Sequence, residues 1–205
     1  MHNVSKGTLE VICGSMFSGK SEELIRRIRR AEFAQQHVQV FKHSLDTRKT
    51  IEHINAHSGY KYPATAAESA HAIKESLLPE TYIIAIDEIQ FFDENIVPLC
   101  MELIGQKKRV IVAGLDLDFR GLPFGKMPEL LSLSDNVTKL KAVCNNCGAD
   151  AHHTQRLVSG KPADFNDPLI QIGAEDCYQA RCRNCFEITY NNYKSTQKNF
   201  KFYGI

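Results

Sequence analysis

The run Gly14-Ser15-Met16-Phe17-Ser18-Gly19-Lys20-Ser21 satisfies the pattern G-x-x-x-x-G-K-S/T at every fixed position, and its flanks narrow the fold further. Thr8 to Cys13 is β-branched and apolar and reads as a short buried strand, and Ser21 to Ile28 carries a helical pattern. A strand that runs through glycines into a helix aims successive backbone N–H groups and the helix N-terminus at one point. Phosphate oxygens are the natural occupants of that point. The glycines permit backbone conformations that a Cβ obstructs, Lys20 can bridge β- and γ-phosphates, and the Ser21 hydroxyl can join the shell of a magnesium ion.

A second hydrophobic strand, Tyr82 to Ile86, delivers Asp87-Glu88 at its end. This is the expected second half of such a site: Asp87 serves the magnesium shell, and Glu88 can accept a proton from the attacking oxygen of water or an alcohol. Gln90, Phe91 and Phe92 follow as candidates for packing the site. Further strands are expected at His37 to Lys42, Arg109 to Ala113 and Thr138 to Val143, and helices at Ala66 to Leu77 and Asn95 to Gly105. Residues 44–65 read as a loop with short strands. Repeated alternation of strand and helix predicts an α/β fold, a parallel sheet flanked by helices, over 1–143.

Seven cysteines are an odd number, and four of them form Cys144-x-x-Cys147 and Cys182-x-x-Cys185. Two such knuckles supply the ligand set of a closed tetrahedral zinc site, which leaves no position for a catalytic water. The segment from Gly148 to Arg181 is then pinned at its base by metal, giving a small second unit over 144–190. His152 and His153 read as ordinary polar residues, and Cys13, Cys100 and Cys177 as free thiols. Within this segment Leu169-Ile170-Gln171-Ile172-Gly173 and Tyr178 either embrace a planar base or form a hairpin packed on the knuckle. The polar stretch 191–205 is a candidate for a disordered tail.

With 25 basic and 24 acidic residues the net charge is +1, and there is no tryptophan. That balance argues against a nucleic-acid polymer as ligand, and Arg26, Arg27, Arg29 and Arg30 read as a solvated helix face. No run of about 18 apolar residues is present, so no membrane span is expected, and the absence of a signal-like start points to the cytoplasm.

Taken together, the chain resembles the type II thymidine kinases over about residues 8 to 190. The resemblance rests on the 14–21 loop, Asp46-Thr47-Arg48, Asp87-Glu88-Ile89-Gln90-Phe91-Phe92, the stretch from Gly114 to Gly125, the cysteine pairs, and Tyr178 ahead of Arg181-Cys182. It implies a RecA-like P-loop domain with a zinc-bearing lasso, and transfer of the γ-phosphate of ATP to the 5′-hydroxyl of thymidine, with deoxyuridine a possible acceptor. It further implies nucleotide contacts from residues 14–21, Asp87 and Gln90, and Glu88 as the base. Met16 and Phe119 would pack on the thymine ring, Leu169 to Gly173 would hydrogen-bond it, and Tyr178 would lie near the deoxyribose. A homotetramer and feedback by dTTP are also implied. The alternative is a zinc-containing P-loop ATPase acting on nucleic acid, with Glu88 activating water. A non-catalytic nucleotide sensor is a further rival.

Overall fold

A computed structural model describes residues 6–45, 53–55, 61–170 and 177–190. The strands are β1 (Thr8–Cys13), β2 (Val38–His43), β3 (His53–Asn55), β4 (Lys61–Pro63), β5 (Thr65–Ala67), β6 (Ile83–Asp87), β7 (Arg109–Gly114) and β8 (Asn136–Lys139), then the short β9 (Ala142–Val143), β10 (Asp150–Ala151), β11 (His153–Val158), β12 (Lys161–Pro162) and β13 (Tyr178–Arg181). The helices are α1 (Lys20–Phe33), α2 (Ala70–Glu75), α3 (Ile96–Gly105) and α4 (Met127–Leu133). Six strands form one sheet in the order β5-β2-β6-β7-β1-β8, and every pairing in it is parallel. The expected α/β architecture is therefore present.

Strand alternation explains how the sheet is covered. Leu9, Val11 and Cys13 face one side with Ile84, Ile86, Val110 and Val112, where α3 and α4 supply Leu99, Leu103, Met127 and Leu130. Ile12, Ile83, Ala85, Ile111 and Ala113 face the other side and meet Leu24, Ile25, Ile28 and Ala31 of α1, the apolar stripe of an amphipathic helix. Glu10 shares that second face and would be an isolated buried charge without partners. Arg27 and Arg109 reach it at 2.6 and 2.5 Å. Burial raises the Glu10 carboxyl, but the hydrogen bonds and charges of Arg109 and Arg27 outweigh it and hold the group below its usual range. Arg27 is accordingly buried, which corrects its reading as part of a solvated helix face.

Two element boundaries also differ from expectation. Ala66 and Ala67 belong to β5, paired with Lys42 and His43 of β2, and α2 starts only at Ala70. There the Ser69 side chain accepts from the Ala72 amide and Asp93 from the Ala70 amide, so the helix start is fixed by caps beyond the alanine run. The stretch expected as one strand from Thr138 to Val143 divides: β8 ends at Lys139, and β9 leaves the main sheet to pair antiparallel with β10. Pro98 sits in the first turn of α3, where its missing N–H has no intrahelical acceptor to lose.

Beyond β8 the chain builds two small antiparallel sheets, β9 with β10, and β12-β11-β13. Their own core is small, formed by Ala142, Cys144, Ala151, Ala180 and Cys182. So few apolar side chains need a further crosslink, and cysteines already stand at the right place to provide one.

Candidate active site

The glycine-rich loop leaves β1 at its carboxyl end, and Gly14 adopts φ 144°, where a Cβ would collide with the Leu140 carbonyl. Phe17 and Gly19 are left-handed, and Lys20 folds back so that Nζ donates to the Ser15 carbonyl at 2.8 Å. Ser18 Oγ is buried without a hydrogen-bond partner, a polar group prepared for something other than protein.

A chain of hydrogen bonds crosses from this loop to the end of β7. Ser21 Oγ donates to Asp87 Oδ2 at 3.2 Å, and the Glu88 amide donates to Asp87 Oδ1 at 3.0 Å. Gln90 Nε2 donates to Glu88 Oε2 at 2.6 Å, and Gln90 Oε1 accepts from the Leu115 amide at 3.1 Å. Glu88 itself is left-handed at φ 53°, a strained conformation for a non-glycine residue. Gln90 is clamped from two sides. A Cβ on Gly114 would strike its side-chain oxygen, and one on Gly125 would strike its carbonyl.

Asp87 is only 3% exposed, and burial first, then the neighbouring Glu88 carboxylate, push its carboxyl up to about 7. The charges of Lys42 and Lys20 offset this only in part. Together with the Ser21 hydroxyl the Asp87 carboxylate makes an oxygen donor set suited to a hard divalent cation, so these residues fit the magnesium ion expected from the sequence. Phe91 and Phe92 pack edge-on with His43, and Phe91 with Phe124, at ring separations of 4.6 to 6.1 Å, forming an aromatic wall beside Gln90.

The small sheets press on the phosphate loop. The Met16 amide donates to Thr154 Oγ1 at 3.0 Å, and Ser15 Oγ to the Ala151 carbonyl at 3.4 Å. Thr154 and Arg156 are two apart on β11 and so project from the same face. Arg156 lies over the Phe119 ring, 3.5 Å from its centroid, and stands opposite Tyr178 in the β11–β13 register. Met16 and Phe119, distant in sequence and both buried, are thus held by neighbouring positions of one strand. Thr154 and Arg156 carry no local sequence signal; only the pairing of β11 with β13 places them here. Leu169 and Ile170 are exposed, and Gln171 to Gly173 lie outside the described residues, as do Asp46 to Arg48.

Cys144, Cys147, Cys182 and Cys185 come together, with all sulfurs within 4.8 Å of one another. The Cys147 and Cys182 sulfurs are 3.6 Å apart. Thiolates at the corners of a tetrahedron with Zn–S near 2.3 Å stand about 3.8 Å apart, so this cluster fits zinc in spacing and ligand type. Burial raises the Cys144 thiol, but amide hydrogen bonds from Cys182, Asn146 and Cys147 outweigh it and lower it; at Cys147 the Ala149 amide lowers the thiol, but hydrogen bonds with the other three sulfurs outweigh it and push it up, so the four share protons as one set. Neither His152 nor His153 joins the cluster. His153 is nevertheless more than an ordinary polar residue: it is buried and stacked on Phe186 at 4.5 Å. Cys13, Cys100 and Cys177 are free, and burial pushes the first two thiols up to about 11 and about 12, outside the range of ready nucleophiles.

A family model described as thymidine kinase matches residues 7–186, which takes in both the loop at 14–21 and all four cysteines. The chain belongs to the thymidine kinase family. Among solved structures, the chain is similar to one described as the cytoplasmic domain of the Thermomonospora curvata Type VII secretion ATPase EccC. The identity is 12% and the TM-score 0.38, over 85% of this chain and 23% of that one. No helix among the described residues is long and apolar enough to cross a membrane.

Proposed function

We propose that this protein is an ATP-dependent thymidine kinase that transfers the γ-phosphate to the 5′-hydroxyl of thymidine and yields dTMP for DNA synthesis by nucleotide salvage. The observation that carries the reading is the linked array Ser21, Asp87, Glu88 and Gln90 beside the phosphate loop, in a chain of this family. Residues 14–21 hold the triphosphate through loop amides and Lys20. Asp87 and Ser21 hold magnesium, which when bound supplies charge stabilisation on the phosphate oxygens. Glu88, kept in place by Gln90, takes the proton from the 5′-hydroxyl as that oxygen attacks phosphorus.

Residues 1–143 form the nucleotide-binding unit on this reading, and 144–190 the zinc-anchored unit that presents the acceptor. Met16, Phe119 and the 169–173 segment receive the base, Tyr178 lies near the sugar, and structural zinc keeps the second unit folded. Assembly as a homotetramer, inhibition by dTTP and a cytoplasmic location go with this reading and rest on the family expectation. Placing the acceptor over the phosphate also excludes the water that would otherwise consume ATP.

The experiment is an assay of purified protein with ATP, magnesium and each natural deoxynucleoside, with deoxyuridine as a further acceptor, scored for 5′-monophosphate. Thymidine should be converted in preference to the other natural deoxynucleosides. ATP hydrolysis that needs a polynucleotide and produces no nucleoside monophosphate would instead favour a nucleic-acid ATPase.

A further inference from the structure

Arg156 is 1% exposed, yet its guanidinium is only partly matched by polar partners. Nη1 donates to the Pro168 carbonyl at 2.6 Å, Nη2 stands 3.6 Å from the Asp167 carboxylate, and Nε has no partner. Burying a cation this way is costly, and a well-packed apolar side chain could fill the same volume at less expense. What the guanidinium offers, and an aliphatic chain does not, is a flat face and a fork used at once. The face covers the Phe119 ring at 3.5 Å, while the fork holds the turn that leads into Leu169 and Ile170.

The same ring has a second cation nearby. Arg120, paired with Asp118 at 2.6 Å, lies 5.9 Å from the Phe119 centroid and 5.4 Å from that of Phe165, which stacks on Tyr190 at 5.2 Å. Phe119 thus meets Arg156 of β11 directly, and Arg120 links it onward to Phe165 and Tyr190.

We infer that Arg156 is a positioning residue for the nucleoside: it sets the Phe119 ring and the Pro168–Ile170 turn relative to each other, so that the two sides of the base pocket are built as one piece. The inference rests on the proposed nucleoside kinase reading and adds a residue outside the phosphate machinery. No contact of Arg156 reaches the 14–21 loop directly among those described; the connection runs through Thr154, two residues away on β11.

The test compares Arg156→Met, which keeps volume and loses both face and fork, with Arg156→Lys, which keeps the charge and a single donating nitrogen without the flat face. Zinc content and separate KM values for thymidine and ATP are measured for each. Arg156→Met should raise the thymidine KM roughly 10-fold or more and leave the ATP KM within about two-fold, with kcat little changed. Arg156→Lys should recover part of that loss. Hydrogen exchange of the unliganded proteins supplies a readout free of substrate: amides of Asp164 to Asp167 should exchange faster in Arg156→Met than in wild type. If Arg156→Met does not fold, Arg156→Lys alone must still raise the thymidine KM selectively. An unchanged thymidine KM in a folded variant, or parallel rises for both substrates with no recovery by lysine, would overturn the inference. Wild-type protein that binds ATP but not thymidine would defeat the functional reading itself, a result distinguishable from the other two.

Discussion

Gln90 donates to Glu88 Oε2 at 2.6 Å and accepts from the Leu115 amide at 3.1 Å, so one neutral side chain ties the carboxylate after β6 to the loop after β7. Both its polar ends are engaged by protein and its backbone is pressed under Gly125, so its side chain is held as a strut between the two loops. Gln90→Leu should leave Glu88 present but loosely aimed. A fall in kcat of roughly 10- to 100-fold is expected, with ATP affinity retained, as measured by steady-state kinetics and by nucleotide binding in the absence of thymidine.

Asp87 gives a pH-dependent stability effect whose sign follows from its raised carboxyl. The folded value is about 7 against an ordinary 3.8, so the folded protein holds a proton that the unfolded chain releases. The carboxylate therefore costs no stability below about pH 4, and its cost grows as pH rises through the window to about 7. In metal-free protein, Asp87→Asn should raise the melting temperature at pH 8 and have little effect at pH 4. The same substitution should abolish most of the magnesium-dependent activity. Equal melting temperatures of variant and parent at pH 8 would contradict the assignment of a destabilising buried charge there.

Fold and site differ in how much of them could be read from the chain alone. The strand, glycine loop and helix around residues 8–33, and the delivery of Asp87 by an apolar strand, follow from patterns confined to a few neighbouring residues, and they stand where expected. Arg27 was legible only as a charge on a helix, since its burial depends on Glu10 arriving from β1. Ala66 and Ala67 have helical propensity, but the open edge of β2 offers them backbone partners. Thr154 and Arg156 are ordinary strand residues until β11 is laid against the 14–21 loop and Phe119, which is a fact of tertiary packing.

Thr154 offers a direct stability measurement. Its hydroxyl is the acceptor for the Met16 amide, and both residues are buried. Thr154→Val nearly conserves shape and strands that amide, at a cost of about 1–3 kcal/mol in urea unfolding. Thr154→Ser should restore most of it. A valine variant as stable as the parent would mean that water or a rearranged loop replaces the lost acceptor.

Metal removal should spread beyond the cysteines. Chelation, or Cys182→Ser, should release the small sheets whose core is only a handful of residues, and thymidine KM should rise most. Because Ser15 and Met16 rest on Ala151 and Thr154, the ATP KM should rise as well, by a smaller factor. Loss of zinc with no change in either KM would detach the metal unit from the active site.

The most direct measurement is single-turnover phosphoryl transfer by Glu88→Gln, run beside thymidine binding to the same protein. The account predicts that thymidine and ATP still bind while the rate of dTMP formation falls by roughly 10² or more, since the glutamine keeps the hydrogen-bonding shape and cannot take the proton. Transfer at the parent rate by the bound ternary complex would contradict it and remove Glu88 from the chemistry.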